Sequence, residues 1–212
     1  MIAADKNILS YKKTDTITVD IKKYDRADGT IILYSAIPLE SYPYRLTERL
    51  KHWATVAPDR IFIGRKNSNG GWDTLTYSET FNKVKNIAQA LLHKNISSEK
   101  PVAILSENSI EHALIALAAL HIGIPYSSIA PAYSLRSVDF DKLKHVINLL
   151  TPGLIFVQDE NKYGQALQTV SNGIEVVAVT VKNEQGNLQA TLFDDLLQIS
   201  ATDDVEYAFN SI

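Results

Sequence analysis

The chain has 212 residues, 45% hydrophobic and 21% charged, with a net charge of −3, which suits a soluble globular fold of one large or two small domains. The basic residues occur as pairs such as Lys12-Lys13 and Lys22-Lys23 rather than as clusters, which argues against nucleic-acid and acidic-membrane binding. The absence of cysteine excludes disulfides, thiolate metal sites and cysteine nucleophiles, and it fits a reducing compartment.

Taken from the N-terminus, MIAADKNILSYKKTD has no apolar run long enough for a signal peptide. The most apolar segment, Ala113 to Leu120, is far shorter than the roughly 18 residues of a membrane span, and the chain reads as cytoplasmic. Residues Ile17 to Ile21 alternate as a half-buried strand does. Asp28-Gly29 then marks a turn into a second strand, TIILYSA. Pro38 and Pro43 signal an irregular connection, after which Leu46, Leu50, Trp53, Ala54 and Ala57 recur at helical spacing until Pro58. IFIGRK and WDTLTY flank Asn67 to Gly71 and predict a hairpin. Thr76 with Glu79 predicts a capping box for a helix that turns Phe81, Val84, Ile87, Ala88, Leu91 and Leu92 inward.

From Pro101 onward short apolar strands alternate with helices. Predicted strands are Val102 to Leu105, Pro125 to Ser128, Leu154 to Val157 and Val176 to Val179. Asn108 with Glu111 predicts a cap for a helix that Gly123 ends, with Leu114, Leu117 and Leu120 in the core. A helix from near Ser137 presents Phe140, Leu143, Val146, Ile147 and Leu150, and Thr151-Pro-Gly stops it. Another helix covers about Tyr163 to Val170, and LFDDLLQI is expected as the last short helix. The alternation predicts an α/β fold, a mostly parallel sheet with helices on both faces, preceded by an N-terminal strand pair.

Few residues invite chemistry. No two of His52, His93, His112, His121 and His145 lie at the i, i+4 spacing that aims two rings at one metal, so all five read as helix-surface or capping residues. Asp141 and His145 make at most a weak surface pair. The neighbouring acids Asp194-Asp195 and Asp203-Asp204 point in different directions on a helix and do not form a cooperating carboxylate pair. The glycine clusters at Ser68 and Ser171 lack the strand-to-helix setting and following lysine of a phosphate cradle, and read as turns. GIPYSSIAPAYSL, from Gly123 to Leu135, is a small uncharged bend where a parallel strand leaves the sheet. Ligands of such sheets bind at that edge. Pro131 fixes φ, Ser134 and Ser137 can cap the next helix, and a strand exit followed by a helix entry explains most of the bend.

The stretch PVAILSENSIEHALIALAALHIGIPYSSIAPAYSL, Pro101 to Leu135, resembles the early conserved region of the acyl-adenylate-forming enzymes: acyl-CoA synthetases, peptide-synthetase adenylation domains and luciferases. APAYSL followed by DFDKLKH is most similar to the feruloyl-CoA synthases, although Ala130 stands where that subgroup has Ser. The resemblance covers about Pro38 to Phe156. It implies the N-terminal subdomain of the acyl-CoA synthetase fold and an ATP-dependent acid–thiol ligase that activates an aromatic carboxylic acid.

In the complete family enzyme the cofactors are ATP, Mg²⁺ and coenzyme A. The phosphate loop, the adenine and ribose motifs and a C-terminal lysine all lie downstream of the matched region. The chain ends at DDVEYAFNSI, a segment that in the family comes shortly before the phosphate loop. The resemblance therefore implies a strand pair and connection over 1–40 and a truncated synthetase domain over 41–212. It assigns no catalytic, cofactor-binding or metal-binding residue, and no cofactor for this chain alone. The expected partners are a complementary C-terminal chain or a second copy, with uncovered apolar sheet edge as the reason. The alternative is a non-catalytic α/β module that binds a partner or ligand.

Overall fold

The structure is a computed structural model, and it describes residues 20–181 and 190–212. It divides into two units, Met1–Tyr42 and Pro43–Ile212. In the first, β1 (Ile21–Asp25) and β2 (Ile31–Ser35) pair antiparallel, with Tyr24 opposite Ile32. The turn is closed by Gly29, which takes φ +85°, a conformation that glycine adopts without a Cβ penalty. Every residue of both strands is exposed, so the half-buried reading of the first strand does not hold for its described part, and Ile17 to Val19 lie outside the described residues.

The second unit opens with helix α1 (Glu48–Val56), the antiparallel hairpin β3 (Ile61–Lys66) and β4 (Trp72–Thr76), and helix α2 (Tyr77–Leu92). The predicted capping box is present: Thr76 Oγ1 accepts from Glu79 N–H at 3.2 Å and Glu79 Oε2 accepts from Thr76 N–H at 2.8 Å. Val84, Ile87, Ala88 and Leu91 are buried as expected, whereas Phe81 is only half-buried and Leu92 is exposed. Leu92 lies beyond the buried arc because Gln89 and Ala90 turn inward in the same last turn.

The sheet follows in β-α repeats: β5 (Val102–Leu105), α3 (Ile110–His121), β6 (Tyr126–Ser128), the short helix α4 (Pro131–Leu135), α5 (Asp141–Leu150), β7 (Leu154–Asp159), α6 (Glu160–Val170), β8 (Glu175–Thr180), β9 (Thr191–Leu192), α7 (Phe193–Leu197) and α8 (Asp203–Asn210). The strand order is β6-β5-β7-β8-β9 and every pairing is parallel. Alternation along the strands divides the core into two layers. Val102, Ile104, Leu154, Phe156 and Val177 pack with residues of α2, α3, α7 and α8. Ala103, Leu105, Ile155, Val157, Val176 and Ala178 pack with Leu143 and Ile147 of α5 and Tyr163 and Leu167 of α6. Helices cover both faces of a parallel sheet, as the alternating periods predict.

Several local expectations are corrected. The cap of α3 is Ser109, whose Oγ accepts from His112 N–H at 3.0 Å, and not the exposed Asn108. Starting one residue later makes Ile110 the first helical residue and buries it. In α3 the buried residues are Ile110, Leu114, Ile115, Ala116, Ala118, Ala119 and His121; Leu117 and Leu120 are only half-buried. The expected Ser137 start is also displaced: Ser137 Oγ accepts from Phe140 N–H at 3.0 Å, and α5 begins at Asp141 behind a left-handed Phe140 with φ 58°. The bend is not plain loop. It holds β6 and α4, with Pro131 at the first helical position, where a missing N–H costs nothing. Ser134 is inside α4 with a buried, unpartnered hydroxyl, and so is not a cap. LFDDLLQI is not the last element, since α8 follows it.

Candidate functional site

Parallel strands deliver all their carboxyl ends to one edge of a sheet, and the chain must pass through polar loops there. At the ends of β5 and β6 a cleft of about 450 Å³ is lined by Ser106, Glu107, Asn108, His112, Ser128 and Pro131, among others. Ser106, Glu107 and Asn108 follow β5 directly, and Ser128 ends β6. The Ser109 cap fixes the first turn of α3, so that the His112 ring turns back over the strand ends. Its Nδ1 lies 3.3 Å from the Glu107 carbonyl oxygen and its Nε2 lies 2.9 Å from Ser128 Oγ.

Charges surround the cleft but are paired. Lys162, in the first turn of α6, reaches the Glu107 carboxylate. Glu111 lies 3.7 Å from Arg65 of β3 and accepts from Gln158 at 3.5 Å, and Arg65 also pairs with Asp73 at 3.5 Å. Asp159 caps α6 by accepting from the N–H groups of Asn161 and Lys162. Beneath them Tyr163 is buried, and burial together with the Glu107 charge pushes its phenol up to about 12. The edge is therefore nearly neutral, with uncharged donors and acceptors on show.

A larger cleft of about 550 Å³ lies at the opposite, amino edge, lined by Lys144, Asn148, Thr151, Asn172 and others. Its one cation, Lys144, is held by the Asp139 carbonyl at 2.7 Å and by Asp141 at 3.2 Å. Loops before strands, rather than after them, build this second cleft.

The histidines separate into different settings. His121 is buried, not a surface residue: its Nδ1 lies 3.0 Å from Thr47 Oγ1, and its ring stacks on Phe209 at 4.6 Å. Among the described residues no group of three or more His, Asp or Glu could hold a metal ion. The acid pairs Asp194-Asp195 and Asp203-Asp204 lie in the first turns of α7 and α8, where carboxylates complement the helix dipole. The His112–Ser128 pair joins residues 16 positions apart, and no motif spacing reveals it. The one usable signal was topological: the start of α3 and the end of β6 meet at the edge of adjacent parallel strands.

An α/β fold with this sheet order and a paired-strand region before it defines a class: the N-terminal subdomain of the acyl-CoA synthetase fold. The likeness is seen with acetoacetyl-CoA synthetase from Streptomyces lividans (TM-score 0.62, 15% identity, 74% of this chain and 25% of that one). It is seen also with the luciferase-like enzyme of the mealworm Zophobas morio (TM-score 0.60, 20% identity, 78% and 38%). A Brucella canis acyl-CoA synthetase aligns with TM-score 0.56 and 17% identity over 68% of this chain and 25% of that chain. Residues 50–205 match the family described as AMP-binding enzyme, and the chain belongs to that family. Tyrocidine synthase 3 of Brevibacillus parabrevis is 40% identical over 63 residues, 30% of this chain and 1% of that protein. The chain thus spans well under half the length of each of these relatives.

The family implies ATP, and the glycine clusters of this chain do not fit a triphosphate. In the Asn67–Gly71 turn, the N–H groups of Asn69 and Gly71 donate to Asn67 Oδ1 and that of Gly70 donates to the Asn67 carbonyl. A phosphate cradle needs those groups free and convergent. The Ser171 cluster follows the C-terminus of α6, where the helix dipole repels an anion.

Proposed function

We propose that this chain is the N-terminal portion of an ATP-dependent, AMP-forming acid–thiol ligase of the feruloyl-CoA-synthase type. The complete enzyme would activate an aromatic carboxylic acid as an acyl-adenylate and pass it to coenzyme A. In this reading residues 1–40 are a separate strand pair and connection, and 41–212 form part of the synthetase domain. The 212 residues alone do not catalyse adenylation, and the remainder of the enzyme, on the same chain or a complementary one, supplies the phosphate loop. No residue of this chain is assigned to ATP, Mg²⁺ or coenzyme A. The observation that carries the reading is the family match over residues 50–205, joined to an Asn67–Gly71 turn whose N–H groups are already used. The APAYSL-DFDKLKH stretch supports the feruloyl subgroup.

The test is complementation. The purified chain is mixed with a chain supplying the remaining part of a feruloyl-CoA synthase, and thioester formation is followed with ATP, Mg²⁺ and coenzyme A. Activity that needs both chains, and prefers ferulate over acetate or a long-chain fatty acid, is expected. A preference for the aliphatic acids would overturn the substrate assignment. Failure to form a complex or any thioester would favour the alternative, a non-catalytic α/β interaction module.

A further inference from the structure

We propose that Ser128 and His112 form a nucleophile–base pair at the carboxyl edge of the sheet, able to take an acyl group from a small activated carboxylic ester without nucleotide or metal. This activity is independent of adenylation.

Hydrogen-bonding capacity fixes the role of each group. The Glu107 carbonyl oxygen can only accept, so the His112 Nδ1 facing it at 3.3 Å carries the proton. Neutral imidazole then presents a lone pair on Nε2. Ser128 Oγ, 2.9 Å away, donates its proton to that lone pair. This is the polarity that makes a serine nucleophilic: a base on the hydroxyl proton and a third group fixing the base's tautomer and direction. The orienting group is itself held, because Ser106 Oγ also donates to the Glu107 carbonyl. The Ser109 cap fixes the backbone of His112.

The surroundings suit the chemistry. Ser128 is exposed and opens into the 450 Å³ cleft, so an electrophile can reach it. Asn108 lines the same cleft, and its side-chain amide has no hydrogen-bond partner among the described residues. It is the donor for a developing oxyanion. The cleft's charges are tied up in pairs, which favours a neutral ester over a charged substrate.

The step balances with these groups alone. Ser128 Oγ bonds to the ester carbonyl carbon while its proton passes to His112 Nε2. The tetrahedral intermediate collapses, the bond to the leaving oxygen breaks, and the imidazolium returns its proton to the departing alcohol. Water then attacks the acyl-Ser128 ester by the same route, releasing a carboxylic acid and free Ser128.

The test uses the full chain in buffer without ATP or Mg²⁺. It is treated with a fluorophosphonate probe and digested, and the adduct is located by mass spectrometry; turnover of p-nitrophenyl acetate is followed in parallel. An adduct on Ser128 is expected. His112→Gln should slow labelling by about 100-fold, the lower end of a general base's contribution. Ser128→Ala should bring p-nitrophenyl acetate turnover down to background, and Ser127→Ala should leave both rates unchanged. Circular dichroism establishes that each variant is folded. No adduct on Ser128 of the folded wild-type chain would overturn the proposal, a result that needs no variant. So would labelling of Ser128 at an unchanged rate in His112→Gln.

Discussion

His121 is enclosed by Thr47, Phe81 and Phe209. Burial holds its imidazole down at about 4; the Glu206 charge opposes this, and Lys51 and Lys85 reinforce it. In the unfolded chain the same group titrates near 6.5. Above that pH both states are neutral and His121 adds no pH dependence. Between about 6.5 and 4 the unfolded chain binds the extra proton, so stability falls as the pH falls. The slope contributed should approach about 1.4 kcal/mol per pH unit. Urea unfolding measured from pH 7.5 to 4.5 should show this loss, and His121→Gln should flatten it. An unchanged slope in that variant would assign the acid sensitivity to other groups. Glu206, drawn below the usual carboxylate range by its hydrogen bond from Lys51, acts in the same direction at lower pH: its stabilisation is lost as it becomes protonated. Nothing in the spacing of the five histidines separated His121 from the others. Its position becomes legible only once α8 places Phe209 against it.

At the scale of elements, the sequence carries the sheet well because each β-α unit repeats the same local instructions. Apolar runs such as VAIL and LIFV, short and bounded by turn signals, read as strands buried on both faces, and the Thr76–Glu79 box is a local signal that the fold keeps. Signals fail where two neighbours compete. Asn108 and Ser109 can both cap, and Glu111 at the third position favours Asn108. The packing of Ile110 decides for Ser109. Ser109→Ala should therefore cost about 1 kcal/mol in urea unfolding, and Asn108→Ala should stay within about 0.5 kcal/mol of wild type. The reverse order would restore the Asn108 cap. Leu117 and Leu120 read as core in the sequence because α3 is apolar nearly all round, and periodicity cannot choose a face on such a helix. Both β9, with two residues, and α4, with five, are too short for periodic signals, and tertiary contacts define them. The carboxyl-edge cleft was predictable as a place, since GIPYSSIAPAYSL leaves a parallel strand there. Its His112–Ser128 contact was not, because it depends on the register of two adjacent β-α units.

Over the whole molecule, the match over residues 50–205 places the chain in the AMP-binding enzyme family, and those residues hold a five-stranded parallel sheet with two core layers, while the chain's length is a fraction of its relatives'. Adenylation needs donors preorganised on the phosphates, and loss of one such donor typically costs about 2.7–4 kcal/mol of transition-state stabilisation. In this chain the two glycine turns are closed by their own hydrogen bonds or lie behind a helix C-terminus. No helix among the described residues is long and apolar enough to cross a membrane. Pyrophosphate release by the purified 212-residue chain with ATP, Mg²⁺, coenzyme A and ferulate tests directly whether these residues adenylate. No release above the protein-free background is expected. Release that scales with protein and survives repurification would contradict it, and would mean that these residues build an adenylating site by themselves.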